Sequence, residues 1–78
     1  MPKIVPLNYK KLIQIFEKDG FQISRTKGDH ISMTKPGVIR PLVIKTSPHN
    51  VAVTHIRTNL TTAGISRERY FALLEKVK

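Results

Sequence analysis

Three histidines, His30, His49 and His55, are the side chains of this 78-residue sequence suited to move protons near neutral pH. No cysteine is present to act as a nucleophile or a thiolate ligand. His30 stands out by its neighbours. It follows the glycine-containing turn Lys27-Gly28-Asp29, and Lys35, Arg40 and Lys45 come soon after it. An imidazole set among cations suits general acid–base work on an anionic substrate, with the cations holding phosphate oxygens. Lys27, Lys35, Arg40 and Lys45 are therefore the candidate phosphate ligands. From the residues alone, His30 reads first as a phosphate contact or an ordinary polar-face residue, and catalysis is the sharper alternative. His49 is either a second acid or a hydrogen-bonding loop residue, and His55 a structural residue or a phosphate donor. No H-E-x-x-H or paired-ligand spacing joins the histidines, so no metal is expected. Ser32 and Thr34 stand near His30 without any Ser/His/Asp order and read as exposed strand residues.

Fourteen lysines and arginines against five acidic residues leave a net charge of +9, which repels itself unless an anion is bound. From Arg25 to Arg57 the only acid is Asp29, so the middle of the chain is its basic part. Nucleic acid is the first partner this implies, and an acidic protein is a compatible second. A membrane surface fits poorly, because no helix joins a basic face to a large apolar one. The length suits one domain over residues 1–78 and is too short to enclose a large cofactor, which excludes Rossmann, barrel and kinase chemistries and leaves no small-molecule cofactor expected. Without cysteine there is no disulfide framework, and no apolar run approaches the ~18 residues that span a bilayer, so a cytoplasmic protein is expected.

The elements that must position these groups follow from periodicity. Asn8 caps a helix whose Tyr9, Leu12, Ile13 and Phe16 share one face, and Asp19-Gly20 ends it. From Phe21 the period becomes two: Phe21, Ile23 and Arg25 fall on one face and Gln22, Ser24 and Thr26 on the other. After the turn at Lys27-Gly28-Asp29, Ile31 and Met33 point one way while His30, Ser32 and Thr34 point the other. A third strand is expected over Val38 to Lys45, with Pro41 marking an edge or bulge. Thr46 to Val53, containing Ser47-Pro48-His49-Asn50, reads as loop. Thr54 caps a helix bearing Ile56, Leu60 and Ala63, and Gly64 ends it. Ser66 caps a last helix with Tyr70, Leu73, Leu74 and Val77 on one face, Glu68 in its first turn, and Lys76 and Lys78 in its last. The aromatics Tyr9, Phe16, Phe21, Tyr70 and Phe71 lie mostly on apolar stripes and read as core. The expected fold is a two-layer α+β domain, α-β-β-β-α-α, with helices on one face of a three-stranded antiparallel sheet and His30 on the open face.

The order α-β-β-β-α is that of the double-stranded-RNA-binding domain. Three segments add detail: Asn8-Tyr-Lys-Lys-Leu-Ile, then Gly20-Phe21-Gln-Ile with Lys27-Gly28-Asp29-His30, then Ala63-Gly64-Ile65-Ser66. Together they resemble the HicA (YcfA-like) family of small toxins over nearly the whole chain. The resemblance implies a toxin of a type II toxin-antitoxin system, a metal-independent endoribonuclease cleaving single-stranded or messenger RNA. It also implies a catalytic histidine at the start of the second strand, matched by His30, and an acidic HicB-like antitoxin as partner. The chain departs from the family pattern where Gly28-Asp29-His30 replaces Gly-Ser-His. It departs again where Pro48-His49 replaces Pro-x-His, and where Thr54-His55-Ile56 replaces Gly-Thr-Leu. A non-catalytic basic RNA-binding module, which needs no particular histidine, is the alternative reading, and a purely protein-binding component is a third.

Overall fold

A computed structural model describes residues 3–46 and 49–77. The chain forms α1 (Tyr9–Lys18), β1 (Gln22–Lys27), β2 (His30–Thr34), β3 (Leu42–Lys45), α2 (Val53–Ala63) and α3 (Arg67–Lys76). The strands make one antiparallel sheet in the order β1-β2-β3, so β2 is central. This is the expected α-β-β-β-α-α order. Ser47 and Pro48, read as loop, and Lys78, read as the end of the last helix, lie outside the described residues. Among the described residues no helix is long and apolar enough to cross a membrane.

Local chemistry sets most of the boundaries. Asn8 Oδ1 accepts the Lys10 amide at 2.8 Å and starts α1, and Gly20, at φ 105°, supplies the left-handed turn that ends it. Ser66 Oγ accepts the Arg69 amide at 3.1 Å and starts α3. The buried residues Ile31 and Met33 of β2, with Leu42 and Ile44 of β3, meet Leu12, Ile15, Phe16, Ile56, Tyr70 and Leu73 from the helices. Phe16 and Phe21 pack edge to face with ring centroids 5.8 Å apart.

Three expectations are corrected. The third strand is only Leu42–Lys45, not Val38–Lys45: Pro41 has no amide hydrogen to give a ladder, and pairing with β2 begins at Met33–Leu42. Helix α2 starts at Val53 behind Ala52, which offers no side-chain cap, and Thr54 falls inside the first turn. The chain enters α2 directly from a backbone bridge between Leu7 and Val51 (N···O 3.2 and 2.7 Å), leaving no room for the longer loop. The threonines of α2 are accommodated by bonding back along the helix: Thr58 Oγ1 donates to the Thr54 carbonyl at 2.9 Å and Thr61 Oγ1 to that of Arg57 at 3.0 Å. Third, the alternation of β1 is broken. A bulge between Ile23 and Arg25 places Ile23 opposite Met33 but Arg25 opposite Ser32, so Ile23 and Arg25 lie on opposite faces. Ile23 stays 47% exposed because β1 overhangs the helical layer.

One carboxylate ties the far end of the sheet to the helices. Asp19, 10% exposed, accepts from Lys35 Nζ at 3.1 Å and Arg69 Nε at 3.2 Å, and the Lys35 ammonium also sits 5.4 Å from the centre of the Phe21 ring. Lys11 Nζ donates to the Val77 carbonyl at 2.7 Å, joining α1 to the end of α3. Asp19→Ala should lower unfolding stability by about 1–2 kcal/mol in denaturant titration, since it removes two charge-assisted bonds from partly exposed partners.

Candidate functional site

The hairpin and the edge strand build a row of three side chains. His30 pairs with Lys27 on β1 and with Lys45 on β3. Directly opposed residues of antiparallel strands share a face with Cβ atoms ≈ 4.5–5.5 Å apart, so two lysines flank one imidazole. Ile31, Met33, Leu42 and Ile44 are buried on the opposite side, and His30 lies on the open face as expected. The next row along is Arg25, Ser32 and Val43.

Asp29 gives the imidazole a definite chemistry. His30 Nδ1 lies 2.9 Å from Asp29 Oδ1, with the two side chains 54% and 57% exposed. A carboxylate this close attracts a proton to the nearer nitrogen, so in the neutral ring it favours the Nδ1-protonated form, in which Nε2 keeps its lone pair. The turn that carries Asp29 is held at both ends. Gly28, at φ 58°, takes the first central position of a two-residue hairpin loop as a type II′ turn requires, and the Asp29 carbonyl accepts the Thr46 amide at 2.7 Å.

The four candidate phosphate ligands separate. Lys27 and Lys45 meet at His30. Lys35 follows the other end of β2, roughly 17 Å away at about 3.4 Å per residue, and its ammonium is engaged by Asp19 and Phe21. Arg40 is exposed ahead of β3 and borders a groove with Val43, His55 and Thr58. His49 is exposed in the segment before α2, and His55 is exposed in the first turn of α2. Among the described residues no three histidine or carboxylate side chains converge. Away from this face, burial pushes the Tyr70 phenol up from its ordinary value and keeps it neutral.

Sequence reasoning missed three contributors. Arg25 reaches the open face only through the bulge, which no glycine or proline marks. Asp29 was visible beside His30, but its contact depends on the turn. Asn59 is 8% exposed and donates from Nδ2 to the Val43 carbonyl at 3.2 Å, fastening α2 to the outer edge of β3. Its position three residues after Ile56, on the apolar stripe of α2, was a readable signal of a buried polar group.

A family model described as the HicA toxin of bacterial toxin-antitoxin systems matches residues 9–65, from the start of α1 to the turn before α3. Comparison with curated proteins finds no match. Lys27, His30, Arg40 and Lys45 all lie within the matched span.

The Asp29 contact is open to a direct check. In nitrogen-15 NMR spectra of the neutral ring, wild-type His30 should be mainly the Nδ1-protonated tautomer, and Asp29→Ala should shift it toward the Nε2-protonated form. An unchanged tautomer ratio would show that Asp29 does not orient the ring.

Proposed function

The chain belongs to the HicA toxin family, and from that premise we propose that it is a metal-independent endoribonuclease acting on messenger RNA, with His30 as its acid–base group. The observation that carries this reading is the cross-strand row Lys27–His30–Lys45, with Asp29 on Nδ1. His30 Nε2 takes the proton of a ribose 2′-hydroxyl. The 2′-oxygen attacks the adjacent phosphorus, the bond from phosphorus to the 5′-oxygen breaks, and a 2′,3′-cyclic phosphate remains. The imidazolium so formed, or water, returns a proton to the departing 5′-oxygen. Lys27 and Lys45 stabilise charge on the non-bridging oxygens. Arg25 and Arg40 extend phosphate contacts beyond the row, and Lys35 reaches a phosphate only by leaving Asp19.

Asp29, the departure from the family's Gly-Ser-His pattern, supports the histidine by fixing its tautomer. The partner of this reading is an acidic HicB-like antitoxin that covers the open sheet face, drawn there by the +9 charge. Both meet in the cytoplasm, where messenger RNA is translated.

The test is His30→Ala in the purified protein. An exposed strand position should cost no more than about 0.5 kcal/mol of stability and leave the circular dichroism spectrum unchanged, while cleavage of RNA should fall by about 10²–10⁴-fold. RNA binding should survive through the cations. Cleavage at the wild-type rate by the alanine variant would favour the non-catalytic RNA-binding module, and unfolding of the variant would contradict the open-face position of His30.

A further inference from the structure

We propose that the groove between β3 and α2 is a nucleotide subsite that holds the RNA segment next to the scissile phosphate; this rests on the RNA-cleaving reading above. One wall is the chain at Arg40, Pro41 and Val43. The other is a single face of α2, because His55, Thr58, Asn59 and Thr62 follow the spacing of three, four and seven residues. The two walls are fixed relative to one another by the Asn59 amide, which donates to the Val43 carbonyl at 3.2 Å. The groove is thus part of the fold rather than a gap between independent surfaces.

Its chemistry suits a ribonucleotide. Arg40 presents a guanidinium, the group best shaped for a phosphate. Thr58 spends its hydroxyl proton on the Thr54 carbonyl, so its oxygen faces outward as an acceptor for a ribose hydroxyl or a base amine. Val43 is 49% exposed and offers an apolar surface to a base or sugar face. From His30 to Arg67 the sequence contains no aspartate or glutamate, so neither wall of the groove carries an acid to repel a polyanion.

Continuity with the row decides the occupant. Val43 and Lys45 lie on the same face of β3, two residues apart, which is about 7 Å. Val43 is opposite Ser32, itself two residues from His30. A strand held at Lys27–His30–Lys45 and leaving across β3 enters the groove directly. Leaving across β1 it meets Lys27 and Arg25 on a fully exposed strand, where none of the residues is buried to wall a groove.

Binding of uncleavable 2′-O-methyl oligonucleotides by fluorescence anisotropy tests this, comparing a trimer that covers the row with a nonamer long enough to reach the groove. Wild-type protein should bind the nonamer much more tightly. Thr58→Glu places a carboxylate on an exposed helical position that accepts it without loss of fold, and should weaken nonamer binding about tenfold through charge repulsion, while Thr58→Gln should retain it. Arg40→Ala should lower the salt slope of nonamer binding by about 0.7. Wild-type nonamer affinity in Thr58→Glu, or equal weakening by Thr58→Gln, would overturn the subsite. So would a Thr58→Glu effect confined to capture of an acidic antitoxin, which would make the groove a protein interface. These outcomes are separable from failure of the functional reading, which shows instead as wild-type protein that neither binds nor cuts RNA.

Discussion

The five residues of β2 have only one face to bury. Helices cover one side of the sheet, and Ile31 and Met33 must enter that layer with Leu42 and Ile44 of the neighbouring strand. Burying a side chain of this size contributes roughly 1.5–3 kcal/mol, so a one-residue slip that turned both outward would cost several kcal/mol. The same alternation sends His30, Ser32 and Thr34 outward. Thus the position of His30 is enforced by the packing of its neighbours, and the core defends the site without touching it.

What that open face can hold depends on how the excess charge is divided. Some cations are committed to the fold: Lys11 on the Val77 carbonyl, and Lys35 and Arg69 on Asp19. Lys27 and Lys45 are directed by strand register to the two sides of one imidazole. Like charges held this close disfavour the free protein slightly, and an anion between them offsets that repulsion. Asp29 tempers the repulsion from the turn and at the same time holds the ring through Nδ1. In the proposed function the cost is a negative charge near the bound phosphates, and the gain is a histidine whose second nitrogen is left to accept a proton.

Much of this was legible because it is periodic or local. Helix α1, its asparagine cap, the hairpin turn, the face of His30 and the serine cap of α3 follow from spacing and from residues acting on their immediate neighbours. The misses share a different cause. The β1 bulge at Ser24 is set by pairing with β2, where the Ser24 hydroxyl donates to the Ser32 carbonyl at 3.2 Å. The early start of α2 follows from the Leu7–Val51 bridge, the diversion of Lys35 from an aspartate 16 positions earlier, and the groove from an asparagine reaching across to a strand edge. Each is a tertiary contact, and of them Asn59 alone left a readable local mark; the bulge moved Arg25 onto the candidate site and the Asp19 pair drew Lys35 away from it. The family resemblance pointed to His30, and the register sets two of the candidate lysines, Lys27 and Lys45, on either side of it.

The proposed reaction of a histidine with two flanking lysines turns on the RNA 2′-hydroxyl. The most direct measurement maps cleavage of an RNA in the presence of a chelator, then replaces the single nucleotide 5′ to the main cut with its 2′-deoxy analogue. Cleavage at that position should disappear while cuts elsewhere in the strand persist, and the unmodified RNA should yield a 2′,3′-cyclic phosphate end. Equal cutting of the deoxy-substituted position would contradict histidine-driven attack by the neighbouring hydroxyl.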